Sequence, residues 1–174
     1  MPRASCSLPA HHETMLATLL LLAATARSAP PPDACHVLTK RDVASVQGET
    51  YTSTKLTPHG ATTTCFYQLP TFTNSVSVDV TPTGGRAFWR EHFESEHDDG
   101  DGAKHDGDRD RDASPPRKVT GVGNEAVWVS SRAAGSLYVR KGDALLRISV
   151  GGAGTEAEKI ARSKRLAAMA LKRM

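Results

Sequence analysis

The sequence predicts an α+β domain, an antiparallel sheet of about six strands with helices packed against it. Two observations carry this. Strand-like and helix-like stretches follow one another as α-β-β-β-α, then an acidic insertion, then β-β-β-α. One stretch, residues 74–82 (NSVSVDVTP), alternates strictly, with Val76, Val78 and Val80 on one face and Ser77, Asp79 and Thr81 on the other. That is the pattern of an antiparallel strand with one buried and one solvated side.

Each element has a local reason. Residues 38–48 (LTKRDVASVQG) read as a short helix, because Thr39 can cap it with Asp42 three residues on, and Gly48 marks its end. Residues 50–57 are rich in β-branched side chains and are bounded by Pro58 and Gly60. Residues 63–69 (TTCFYQL) make a second strand and stop before Pro70. Gly84 and Gly85 then break the strand pattern. Residues 86–97 follow as an amphipathic helix that puts Phe88, Trp89, His92 and Phe93 on one side, a stripe suited to docking on a core. Beyond the insertion, residues 125–131, 136–142 and 144–151 read as strands, the last two joined by a tight turn at Lys141, Gly142 and Asp143. Thr155 and Glu158 form a capping box for a C-terminal helix. Its apolar face is expected to gather Ala157, Ile160, Ala161, Ala167, Ala168, Leu171 and Met174.

Composition bounds the functional classes. The chain has 174 residues, one domain's length, and 39% apolar residues, enough for a packed core. The net charge of +3 is too small to argue for nucleic acid as a partner. Its distribution is uneven. Residues 94–112 hold nine acids against three bases, net −6, so the rest of the chain carries +9. Residues 98–117 show no apolar periodicity, and this composition predicts a disordered insertion within a single domain spanning residues 30–174.

The N-terminus reads as a secretory signal peptide, residues 1–29. Arg3, His11 and His12 precede a twelve-residue apolar run at 15–26 (MLATLLLLAATA). The run is shorter than the roughly 20 residues a membrane-spanning helix needs. Small residues set the cleavage at Ala26, Ser28 or Ala29. The expected location is periplasmic or secreted. Cys35 lacks a lipoprotein signature, since Pro32, Asp33 and Ala34 precede it, so no stable membrane anchor is expected after cleavage. Cys6 leaves with the leader. Cys35 and Cys65 remain, and an even count in an oxidising compartment reads as one disulfide.

The stretches CHVLTKRDVASVQGE (35–49), CFYQL (65–69), VGNEAVWVSS (122–131), GSLYVRKGDALLRISVGG (135–152) and KIARSKRLAAMALKRM (159–174) together resemble a loose group of exported bacterial proteins of unknown function. Those chains share a Cys-x-Leu-Leu-Thr-like first helix, a Gly-x-Gly-Asp-Glu-Ala-like strand and a short basic C-terminal helix. The resemblance covers residues 35–174 apart from the acidic segment. Some members are similar to Mog1/PsbP-like domains, which implies an α+β fold used for binding rather than catalysis. Many are lipoproteins; this chain departs from them in lacking the lipid-attachment motif.

Chemistry-bearing patterns are sparse. Asp106, Asp108, Asp110 and Asp112 place carboxylates at alternate positions, with His97 and His105 flanking them, and the hard oxygens suit calcium. An EF-hand loop starting at Asp106 needs Gly sixth and Glu twelfth, where this chain has Arg111 and Arg117. His97, Asp106, Asp108, Asp110 and Asp112 are therefore at most ligands of a weak cation site. No HExxH, GxSxG or phosphate-binding glycine loop is present, so no catalytic residue is assigned. Residues 121–126 (GVGNEA) lead into a strand rather than a helix and mark a turn, with Glu125 the one carboxylate of interest. The expectation is an exported, non-catalytic binding or interaction domain without a cofactor, whose partner is an envelope protein or a small ligand and not nucleic acid. The alternatives are a cation-responsive protein using the acidic insertion and an enzyme with an unrecognised site.

Overall fold

The computed structural model describes residues 33–94, 115–131 and 135–174. The leader, the cleavage residues Ala26, Ser28 and Ala29, and the candidate cation ligands His97, Asp106, Asp108, Asp110 and Asp112 lie outside them. So does residues 98–114 of the expected insertion.

A seven-stranded antiparallel sheet with three helices packed on it forms the domain, which is the α+β class expected. The chain runs α1 (Lys40–Gln47), β1 (Ser53–His59), β2 (Thr62–Gln68), β3 (Val76–Thr81), α2 (Gly85–Trp89), β4 (Arg117–Val119), β5 (Glu125–Ser130), β6 (Gly135–Lys141), β7 (Ala144–Val150) and α3 (Glu156–Ala170). The strand order is β1-β2-β3-β7-β6-β5-β4. Two meanders therefore meet at the β3–β7 pair, where Val78 opposes Ile148 and Asp79 opposes Arg147.

The seventh strand is the addition. Arg117, assigned by composition to the insertion, opens β4, which pairs with β5 through three residues. Three residues are too few to show an alternation. At the opposite edge, β1 continues through Pro58 to His59. Proline is tolerated there because an edge strand has N–H groups that no neighbour needs.

Register sorts the side chains into two faces. Val76, Val78 and Val80 are fully buried, as their alternation predicts, and they join Tyr67, Leu137, Val139, Leu146 and Ile148 in the main core. α1 and α3 cover this face. Both caps form as read. Thr39 and Asp42 exchange hydrogen bonds at α1, Thr155 and Glu158 do so at α3, and Gly48 closes α1 in the left-handed conformation. The buried stripe of α3 keeps Ile160, Ala167 and Leu171 of the expected face and differs in the rest. Ala157, Ala161 and Ala168 are exposed, while Ile160, Ser163, Leu166, Ala167 and Ala170 are buried. The true stripe follows the i, i+3, i+4, i+7 spacing and runs through Ser163, a polar residue that interrupts the apolar reading.

The other face carries a smaller apolar cluster. Trp89 packs against Val127 and Leu145, with Phe88, Phe93, Val129 and Tyr138 around them. The expected helix over 86–97 is five α-helical residues followed by a π-helical turn at Arg90–Glu94. Of its aromatic stripe, Trp89 is buried, Phe88 and Phe93 are half-buried, and His92 is exposed with its ring stacked on Phe88 at 4.0 Å. α2 shields only the β5-β6-β7 side of this face. Polar side chains such as Thr64, Ser77 and Asp79 extend from beneath it across β2 and β3.

Candidate functional site

Where the short α2 ends its cover, a groove of about 400 Å³ opens between the helix and the sheet. Its position follows from the β6–β7 turn. Asp143 in that turn accepts hydrogen bonds from the backbone N–H of Gly84 at 2.9 Å and of Arg86 at 3.2 Å, and so caps α2 from outside. Gly85 lies against the same turn, donating its N–H to the Asp143 carbonyl at 2.8 Å. A Cβ at Gly85 would sit 2.7 Å from that carbonyl oxygen, so the approach needs glycine. The start of α2 is fixed to the sheet, and the groove is held open beside it.

The sheet supplies the polar side of the groove. Arg147 donates from Nη1 to Asp79 Oδ2 at 2.8 Å and from Nε to Ser136 Oγ at 3.2 Å. Its guanidinium lies 5.7 Å from the centre of the Tyr138 ring, a cation–π distance. The Arg147 side chain lines the groove and is still 44% exposed. Thr62 and Thr81 bring their hydroxyls within 2.7 Å of each other across β2 and β3. The apolar side is Leu145 with the Phe88 and Tyr138 rings, which lie nearly parallel with centroids 6.0 Å apart. The groove thus combines an aromatic wall with one acid, one base and paired hydroxyls, the mix found in small-molecule sites.

The residues singled out in the sequence lie elsewhere. Cys35 and Cys65 form a disulfide on the covered face, with Cα atoms 5.0 Å apart. Glu125 receives hydrogen bonds from Arg140 Nε at 2.7 Å and Nη2 at 2.6 Å across the β5–β6 pair, which makes it a structural partner of the strand start. The GVGNEA stretch is a turn, where the Asn124 side chain accepts from the Gly142 N–H at 2.7 Å. His36 pairs with Asp33 at 2.9 Å on the surface. Among the described residues, no group of three His, Cys, Asp or Glu side chains is placed to hold a metal ion. Also among them, no helix is long and apolar enough to cross a membrane.

Sequence reading missed Asp79, Arg147, Tyr138, Thr62 and Thr81 as a set. One local signal existed, the charged Arg147 inside a mostly apolar strand. Its partner is 68 residues away and becomes visible only when β3 and β7 pair.

The Asp143 cap carries a pH dependence. Hydrogen bonds from the Gly84 and Arg86 N–H groups hold its carboxyl below the ordinary 3.8. Glu158 is lowered in the same way by the Thr155 N–H and hydroxyl, and Glu156 by the Ser130 hydroxyl. A carboxyl lowered in the folded state stabilises fully above its unfolded value and loses that contribution as pH falls through the folded one. Thermal melts are therefore expected to be level from pH 7 to about 5 and to fall steadily below. Asp143→Asn should flatten part of that fall. An unchanged acid limb in the variant would remove Asp143 from the explanation.

No known family model, curated protein or solved structure matches the sequence. The class that fold and site define is an α+β domain with an amphipathic groove on the less covered face of its sheet.

Proposed function

We propose that this chain is an exported binding domain without catalytic activity, and that its ligand site is the groove between α2 and the sheet. The groove itself is the observation that carries the reading. It is concave, lined by Phe88, Tyr138 and Leu145, and furnished with few but oriented polar groups. Supporting the reading further are the signal-like leader, the Cys35–Cys65 bridge, and the resemblance to a loose group of exported proteins, some of them similar to Mog1/PsbP-like domains. No cofactor enters the reading.

Two measurements test it. Intact mass of the protein from its native host should begin near Arg27 or Ala29, with two cysteines that alkylate only after reduction. A full-length mass with free thiols would overturn export. A ligand-observed NMR screen of a small-fragment library should find binders to the purified mature protein, and Thr81→Trp, which fills the groove, should abolish them. Binders that ignore Thr81→Trp in a variant with unchanged circular dichroism would move the site elsewhere.

A further inference from the structure

We infer that the groove recognises a neutral saccharide ring, a conclusion that rests on its being the ligand site. Charge decides the first point. The titratable side chains lining the groove are Asp79, Arg147 and Tyr138, and Asp79 and Arg147 pair with each other at 2.8 Å. The lining therefore offers no net charge to attract a strongly anionic or cationic ligand. It does offer an acceptor-only carboxylate beside a donor-only guanidinium. The group complementary to both at once is one that donates and accepts from adjacent atoms, as neighbouring hydroxyls on a sugar do. The Thr62–Thr81 pair repeats that character, since each hydroxyl is donor and acceptor together.

The apolar side fits the same ligand. Phe88, whose ring is stacked by His92, and Tyr138, whose ring carries the Arg147 guanidinium, still line the groove beside Leu145 and give it an apolar wall, and the C–H face of a pyranose ring is flat and apolar. Arg147 is pre-oriented by Asp79, Ser136 and the Tyr138 ring, so little side-chain freedom is lost when it engages a hydroxyl.

A peptide also donates and accepts along its length, but the groove's place in the sheet disfavours it. The groove lies over β2, β3, β7 and β6, and each of these strands has a ladder partner on both sides. Their backbone groups are used within the sheet, so an extended peptide would find none of the main-chain partners that strand addition supplies at a sheet edge. Recognition here has to come from side chains, and those side chains are the hydroxyl, Asp–Arg and aromatic set.

The test is isothermal titration of the mature protein with three probe sets: neutral di- to tetrasaccharides of hexoses and N-acetylhexosamines, small carboxylates, and capped dipeptides. At least one neutral saccharide should bind. Arg147→Met should weaken it by about tenfold or more, the scale of one charge-assisted hydrogen bond, and Tyr138→Leu by about tenfold through the lost ring contact. Thr81→Trp should abolish binding. Circular dichroism and melting temperature of each variant show whether it folds, and Thr62→Val provides a milder second probe should one variant fail. Dipeptides or carboxylates that bind in place of saccharides and are blocked by Thr81→Trp would overturn the ligand class and leave the groove as the site. No binding from any set, or binding untouched by every groove variant, would overturn both.

Discussion

Replacing Cys35 and Cys65 with alanine is expected to lower the unfolding free energy by roughly 3.5–4 kcal/mol, measured by urea denaturation. The figure comes from the loop that the bridge closes, 30 residues in sequence, and from the chain entropy that its loss returns to the unfolded state. The folded state also has local stakes in the bridge. The loop at residues 33–38 lies over one end of the core, where Ala34, Val37 and Leu38 are buried. Besides the disulfide, the loop is held by the Tyr67 hydroxyl, which donates to the Ala34 carbonyl at 2.6 Å, and by the Arg173 guanidinium, which donates to the Val37 carbonyl at 3.0 Å. Burial pushes the Tyr67 phenol well above its ordinary value, so it stays a neutral donor across the usual range of pH. The double variant should therefore fold, with residues 33–38 and α1 losing hydrogen-exchange protection before the central strands do. A loss below about 1 kcal/mol would mean that packing and these hydrogen bonds hold the loop without the bridge.

The legible parts of this fold are those specified by residues close in sequence. Val76, Val78 and Val80 announce a half-buried strand because period two needs no partner to be seen. Thr39 with Asp42, and Thr155 with Glu158, announce helix starts because the cap closes within three residues. Illegibility begins where a structure depends on distant pairing. β4 is a strand only because β5 offers Ala126, Val127 and Trp128 for it to lie beside. The buried stripe of α3 passes through Ser163, whose burial is imposed by the sheet beneath and not by its own chemistry. The groove is the extreme case. Its lining comes from β2, β3, α2, β6 and β7, five elements spread from Thr62 to Arg147, and no window of sequence contains it. Both faces of β3 follow from one alternation, but that Asp79 would meet Arg147 follows only from the two meanders joining at β3 and β7.

A second large effect is expected in the β5–β6 part of the same core, where Trp128→Ala should cost about 3–5 kcal/mol. Trp128 is 1% exposed and is the largest of the fully buried side chains. Its ring lies against Gly135 of the neighbouring strand, where a Cβ would come within 2.7 Å of ring carbon Cη2. Truncation leaves a cavity bounded by strands that are tied into the sheet on both sides and cannot collapse to fill it. The indole also has a polar tie. Its Nε1 donates to Ser130 Oγ at 3.1 Å, and that hydroxyl donates in turn to Glu156 at the start of α3. Trp128→Phe separates the two contributions, because it keeps most of the apolar volume and removes only the N–H. It should cost about 1–2 kcal/mol, a lost hydrogen bond with a small void. Gly135→Ala approaches the same site from the other side. It should destabilise by about 1–3 kcal/mol through overpacking, with a shifted Trp emission as the ring is displaced. If Trp128→Ala cost no more than Trp128→Phe, the indole's tie to Ser130 and Glu156 rather than its volume would be what fixes α3 to this side of the sheet.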